Sequence, residues 1–188
     1  MWPPTQSMAA AQEALTGSPA HIIGHTAYTA DLQIGALSDS LATATPEMVV
    51  IAGGFDNAER AGQEPLLELC RIFGQALARS APAQRPAVVF AGNRWVAPRA
   101  VELLQAASGA AVEAVENVQP APGRIYKAAL AQAVSFYYWR LCRRAAGFKE
   151  ISRWATSPGH ITSLETSFAQ LVQVWMELHD LPELHGLY

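Results

Sequence analysis

The sequence predicts an α/β fold: a three-layer sandwich with a mostly parallel sheet of about four strands, followed by a helical C-terminal part. Three observations carry this. Four short apolar runs, rich in branched residues, are each bounded by turn signals. Helical patterns at the 3-4 spacing separate them, as right-handed βαβ units require. After Asn117 the alternation stops at Pro120, Pro122 and Gly123, and from Arg124 onward the chain reads as helices alone.

Met1-Trp2-Pro3-Pro4 carries no pattern, and the alanine-rich stretch from Met8 to Leu15 reads as a short helix. The four runs are His21-Ile22-Ile23-Gly24-His25, Met48-Val49-Val50-Ile51-Ala52, Ala87-Val88-Val89-Phe90-Ala91 and Ala111-Val112-Glu113-Ala114-Val115. The second and third are continuously apolar rather than alternating. That suits strands covered on both faces, hence a parallel sheet.

Between the runs, residues 31–42 place Leu32, Leu37 and Leu41 on one helical face. Residues 64–79 do the same with Leu66, Leu69, Cys70, Phe73 and Leu77, and Pro65 fits a first turn. Residues 95–107 align Val96, Ala100, Leu103, Leu104 and Ala107, with Ser108-Gly109 as the stop. The tail reads as helices over 125–144, 149–156 and 161–179, with Ser157-Pro158-Gly159 as the last break. Ile161, Leu164, Phe168, Leu171, Val172, Trp175 and Leu178 form a wide stripe on the final helix. The organisation expected is an N-terminal segment over 1–19, an α/β domain over 20–123 and a helical extension over 124–188. The stripe needs a partner surface, yet the sequence stops at Leu187-Tyr188, so an excised domain is expected.

At 188 residues, one sizeable core is expected. Hydrophobic residues make up 51% and charged residues 15%, an ordinary globular composition. The formal charge of -3 gives no reason to expect nucleic acid. The basic cluster Arg140-Leu141-Cys142-Arg143-Arg144 suits a helix end complementing its dipole. Cys70 and Cys142, the only cysteines, sit in apolar helical patterns as expected of buried free thiols in a reducing, cytoplasmic compartment. No signal-peptide plan and no run of membrane-spanning length appears, so no membrane partner is expected.

In an open parallel sheet, ligands bind outside the carboxyl ends of the strands. The loops there are Gly53-Gly54-Phe55-Asp56-Asn57, Gly92-Asn93-Arg94, Glu116-Asn117 and His25-Thr26-Ala27-Tyr28. Paired glycines let backbone N–H groups face a ligand, and Asp56 adds a carboxylate. Arg94 suits a carboxylate or phosphate, and Asn93 donates and accepts at once. The ligand-binding candidates are therefore Gly53, Gly54, Asp56, Gly92, Asn93, Arg94, Glu116 and Asn117. The competing reading makes Asp56 a helix cap or Asx-turn and Arg94 a structural bridge to Asp56 or Glu116. The G-x-G-x-x-G, G-x-x-x-x-G-K-[ST] and G-x-S-x-G patterns are absent, and His160, His179 and His185 lack metal-like spacing. No catalytic and no metal-binding residue is assigned.

Five stretches carry a family resemblance: Met48 to Asp56, Val88 to Arg94, Val115-Glu116-Asn117-Val118-Gln119-Pro120, Gly123-Arg124 and Arg153-Trp154-Ala155-Thr156-Ser157-Pro158. In this order they resemble the accessory protein of coenzyme-B12-dependent glutamate mutase (methylaspartate mutase), called MutL in its operon and unrelated to the mismatch-repair protein. The resemblance runs from about Ala20 to Pro158. It implies an ATPase of the actin, Hsp70 and sugar-kinase superfamily that acts as chaperone or reactivator of a cobalamin enzyme. Two departures qualify what it implies. The family's loop after the second run reads Gly-Gly-Thr-Asp-Gly-Gly, whereas here it is Gly53-Gly54-Phe55-Asp56-Asn57-Ala58. The superfamily's Asp-x-Gly nucleotide signature is absent from this sequence, so ATP is implied only for the full-length protein and hydrolysis by this chain alone is not expected. The partners implied are the rest of a larger protein or a cobalamin-dependent mutase; the last helix separately suggests a homodimer.

Overall fold

The computed structural model of the protein describes residues 5–16, 18–57, 60–142, 144, 147, 148, 150, 153 and 164–179. Three strands form one sheet: β1 (Met48–Ile51), β2 (Ala87–Phe90) and β3 (Val112–Ala114). Their order is β1-β2-β3, all parallel, with Val50 opposite Val89 and Val89 opposite Glu113. The helices are α1 (Thr5–Leu15), α2 (Ile34–Ala44), α3 (Arg60–Ala78), α4 (Ala97–Ser108), α5 (Ala128–Cys142) and α6 (Leu164–Leu178). The mixed α/β class with a parallel sheet is therefore the fold observed.

The chain divides into two compact units, Met1–Trp139 and Arg140–Tyr188. In the first, β2 is central and Val88, Val89, Phe90 and Ala91 are fully buried, which is why this run is continuously apolar. Alternate residues feed two clusters. Val88, Phe90 and Ile51 join Leu66, Cys70, Phe73 and Leu77 of α3, Ala100 and Leu104 of α4 and Leu37 of α2. Val89 and Ala91 join Ala10, Ala11 and Ala14 of α1, Leu130, Ala133 and Val134 of α5, and Val118. The strand period of two thus delivers side chains to both faces of the sheet.

One expected strand is absent. His21-Ile22-Ile23-Gly24-His25 is exposed, irregular chain, with Ile22 43% and Ile23 54% accessible. Its two isoleucines are adjacent, so a strand would send them to opposite faces, and neither cluster includes them. Among the described residues the sheet has three strands rather than four.

Two helix starts also differ from expectation. α3 begins at Arg60, so Pro65 lies inside the helix and forfeits the bond its amide would make four residues back. α4 begins at Ala97 rather than Trp95, because the side chain of Asn93 takes over the amides of Trp95 and Val96. Its end is as expected: Gly109 adopts φ 64°, and its N–H donates to the Gln105 carbonyl at 2.7 Å. Of the expected helix over 149–156 only residues 150 and 153 are described, both helical, and the first residues of the one over 161–179 lie outside the described residues.

Cys70 is a buried free thiol of α3. The side chain of Cys142 lies outside those described. Burial pushes the Cys70 thiol up from 9.0 to about 12. A raised acid in the native state binds its proton where the unfolded chain has released it. Its contribution to stability is therefore complete below pH 9.0 and is lost as the pH rises through about 12. Denaturant melts from neutral to alkaline pH should show this decline, and Cys70→Ala should remove its share of the slope. In the native protein, iodoacetamide should leave Cys70 unmodified at pH 8 and label it in urea.

Candidate functional site

The loops that follow β1, β2 and β3 meet at one edge of the sheet, as parallel strands require. Gly54 takes the left-handed conformation, φ 71°, that a tight turn out of β1 needs. Gly92 follows β2 where no side chain fits: an added Cβ would stand 2.7 Å from the Gly53 carbonyl oxygen and 2.9 Å from Cζ of Phe90. The Asn93 N–H donates to that same Gly53 carbonyl at 2.8 Å, tying the second loop to the first.

Asn93 is wholly buried and fully engaged. Its Nδ2 donates to the Phe55 carbonyl, while its Oδ1 accepts from the N–H of Trp95 at 2.8 Å and of Val96 at 3.2 Å. Asp56 Oδ1 accepts from the Arg94 N–H at 2.9 Å and from Asn117 Nδ2 at 2.8 Å. Asn117 Nδ2 also donates to the Gly54 carbonyl at 2.9 Å, and its Oδ1 accepts from the Gln119 N–H at 3.0 Å. The Asp56 N–H donates to the Pro120 carbonyl at 2.9 Å. Ser7 of α1 donates to Oε1 of Gln119 at 3.3 Å, which attaches the N-terminal helix to the third loop.

The backbone amides follow the same rule. Those of Asn93, Arg94, Trp95, Val96 and Ala97 each donate to an acceptor within the chain. Among the described residues no buried side-chain polar atom lacks a partner. Such a network stiffens the loops that it joins. In the loop after β2, Arg94 and Trp95 reach solvent, and Asn57 and Glu116 are exposed on the neighbouring loops. The Arg94 guanidinium lies 4.7 Å from the Trp95 ring centroid, and its Nε is 3.8 Å from Asp56 Oδ2. Trp95 is 65% exposed, held in that position by the Asn93 bond to its amide.

The profile of the MutL protein family matches residues 3–177 of the 188. The chain belongs to the MutL family. Neither a curated protein nor a solved structure matches it.

Of the eight residues singled out in this MutL sequence, Gly53, Gly54, Asp56, Gly92, Asn93, Arg94 and Asn117 come together through the bonds and close contacts above. Glu116 is exposed and stands outside the hydrogen-bond network. Arg94 bridges to Asp56 rather than to Glu116. A nucleotide phosphate, the group the family resemblance suggests, would need unengaged amides at this edge. The amides of residues 93–97 and of Asp56 already donate within the chain, so these amides are not offered to a phosphate. Sequence reasoning missed Trp95 and Gln119. Trp95 sits in a helical pattern, so its exposure leaves no local trace. For Gln119, the only signal is its place in the Val115 to Pro120 stretch.

Proposed function

We propose that this MutL-family chain is a non-catalytic docking module of a glutamate mutase accessory protein, and that its strand-end loops hold a rigid contact surface. One observation carries the reading. Asp56, Asn93 and Asn117 direct their polar atoms at the loops themselves, while Arg94 and Trp95 lie side by side in solvent. Arg and Trp are the residue types enriched where protein interfaces concentrate their binding energy. A rigid presentation reduces the ordering cost of association. The family match supports a cobalamin-dependent mutase as the partner. The module would meet a carboxylate-bearing patch of that enzyme, matching the exposed guanidinium.

The test is binding of purified glutamate mutase, with and without cobalamin, to the immobilised chain. Trp95→Ala is expected to weaken association by roughly tenfold or more while shifting the denaturant midpoint little, because the ring is exposed. Unchanged affinity in Trp95→Ala and Arg94→Ala would overturn the role of this surface. The non-catalytic part has its own test: ATP hydrolysis by the chain that disappears in Asp56→Ala would sink it.

A further inference from the structure

The sheet is open along β1. The Ala87 N–H donates to the Glu47 carbonyl at 3.1 Å and the Ala91 N–H to the Ile51 carbonyl at 2.8 Å, so residues 47, 49 and 51 face β2. Met48, Val50 and Ala52 therefore turn their N–H and C=O groups to the other side. Among the described residues nothing bonds to them there. An open edge is ordinarily blunted by a charge, a proline or a bulge. β3, the other edge, carries Glu113, whereas Met48 to Ala52 is wholly apolar and only Ile51 within it is fully buried.

The topology says which segment fits that edge. α2, α3 and α4 all pack on one face, in the cluster that holds Val88 and Phe90. The crossovers through α3 and α4 thus share one hand and step the sheet in one direction, giving the order β1-β2-β3. By the same rule, a parallel strand preceding α2 belongs beside β1, on the side away from β2. The chain before α2 holds His21-Ile22-Ile23-Gly24-His25. Its flanks are fixed on opposite faces, α1 in one cluster and Tyr28 against the other, so the run passes from one side of the sheet to the other. Among the described residues nothing bonds to the main chain of residues 21–28. Adjacent isoleucines suit a place beside β1, where Met48 and Val50 offer an apolar neighbour on one face and Val49 on the other.

We propose that residues 21–25 are a strap that closes the free edge of β1 as a fourth parallel strand, and that the structure shows it undocked. Closure pairs the free main-chain groups of the run with those of Met48, Val50 and Ala52, and covers one isoleucine on each face. Gly24 in its middle weakens the strand, so the strap opens and closes rather than locking. A parallel strand ends at the same edge as β1. Closure therefore carries His25 and Thr26 to the loop from Gly53 to Asp56 and adds a fourth loop to that edge. It also screens an apolar edge that is otherwise a template for strands of other chains.

Amide hydrogen exchange, followed by NMR on the full chain, tests the strap. It needs no mutase, so its outcome is separate from that of the docking surface. The N–H groups of Val50 and Ala52 should exchange roughly tenfold more slowly in the parent than in Ile22→Asp/Ile23→Asp, while that of Ile51, bonded to β2, exchanges alike in both. Gly24→Val should slow Val50 and Ala52 further, because a Cβ at this position meets nothing within 4 Å in the open form and valine favours a strand. Equal rates at Val50 and Ala52 in the parent and the double variant overturn the strap. Where the double variant fails to fold, Gly24→Val decides: slower exchange supports closure, and unchanged or faster exchange overturns it.

Discussion

Asn93→Ala is expected to destabilise the first unit by about 3 kcal/mol, more than any other single change at the strand-end loops. Three hydrogen bonds disappear with the amide. The Phe55 carbonyl loses its Asn93 donor and the Trp95 N–H its acceptor, while the Val96 N–H keeps only the Asn93 main-chain carbonyl at 3.1 Å. A buried polar group without a partner costs about 1–3 kcal/mol, and loss of a capping acceptor about 1 kcal/mol. Urea unfolding should therefore show a lower midpoint with an unchanged slope. Arg94→Ala serves as the comparison. It removes an exposed ion pair whose closest approach is 3.8 Å, and should change stability by less than about 1 kcal/mol. If the two variants proved equally stable, the loops would not depend on Asn93 for their shape.

Gly92→Ala has the second largest expected effect, for the opposite reason. Nothing is removed; a methyl group is forced between the loops that follow β1 and β2. It would lie 2.7 Å from the Gly53 carbonyl oxygen, 2.9 Å from Cζ of Phe90 and 3.2 Å from the Gly53 nitrogen. Two of these are backbone atoms, which yield only if the loops after β1 and β2 separate. That separation would stretch the 2.8 Å bond from the Asn93 N–H to Gly53. Overpacking of this kind costs about 1–3 kcal/mol. For a chain of this size the thermal midpoint should fall by roughly 3–10 °C. The two substitutions disturb one network, so the double variant should lose less than the sum. Strict additivity would show that the glycine and the asparagine act separately.

Much of the fold is legible because burial imposes a local period. Val88, Val89 and Phe90 follow one another without a polar residue, and the chain places all three at the centre of the sheet. Leu66, Leu69, Cys70, Phe73 and Leu77 repeat at helical intervals, and α3 buries all five against the sheet. The His21 to His25 run shows where this reasoning ends. Its composition is strand-like, yet β propensity expresses itself only when a neighbouring strand and a covered face are available. The start of α4 shows the same from the other side, since the decisive group was the Asn93 side chain rather than the helical pattern beginning at Trp95.

The sequence by itself determined the parallel α/β class, the buried faces of the main helices and the loops that close the sheet edge. It named Gly53, Asp56, Gly92, Asn93, Arg94 and Asn117 as residues of that edge and pointed to the family. The tertiary structure alone decided what these residues do to one another. Asn93 reaches Phe55 across 38 positions of chain, and Asn117 reaches Asp56 and Gly54 across 61 and 63. No local periodicity encodes such pairings. They arise when parallel strands carry distant loops to one edge, where a buried amide must bond to whatever acceptor the packing places beside it. That necessity ties Asp56, Asn93 and Asn117 into one network across three loops, beside which Arg94 and Trp95 reach solvent.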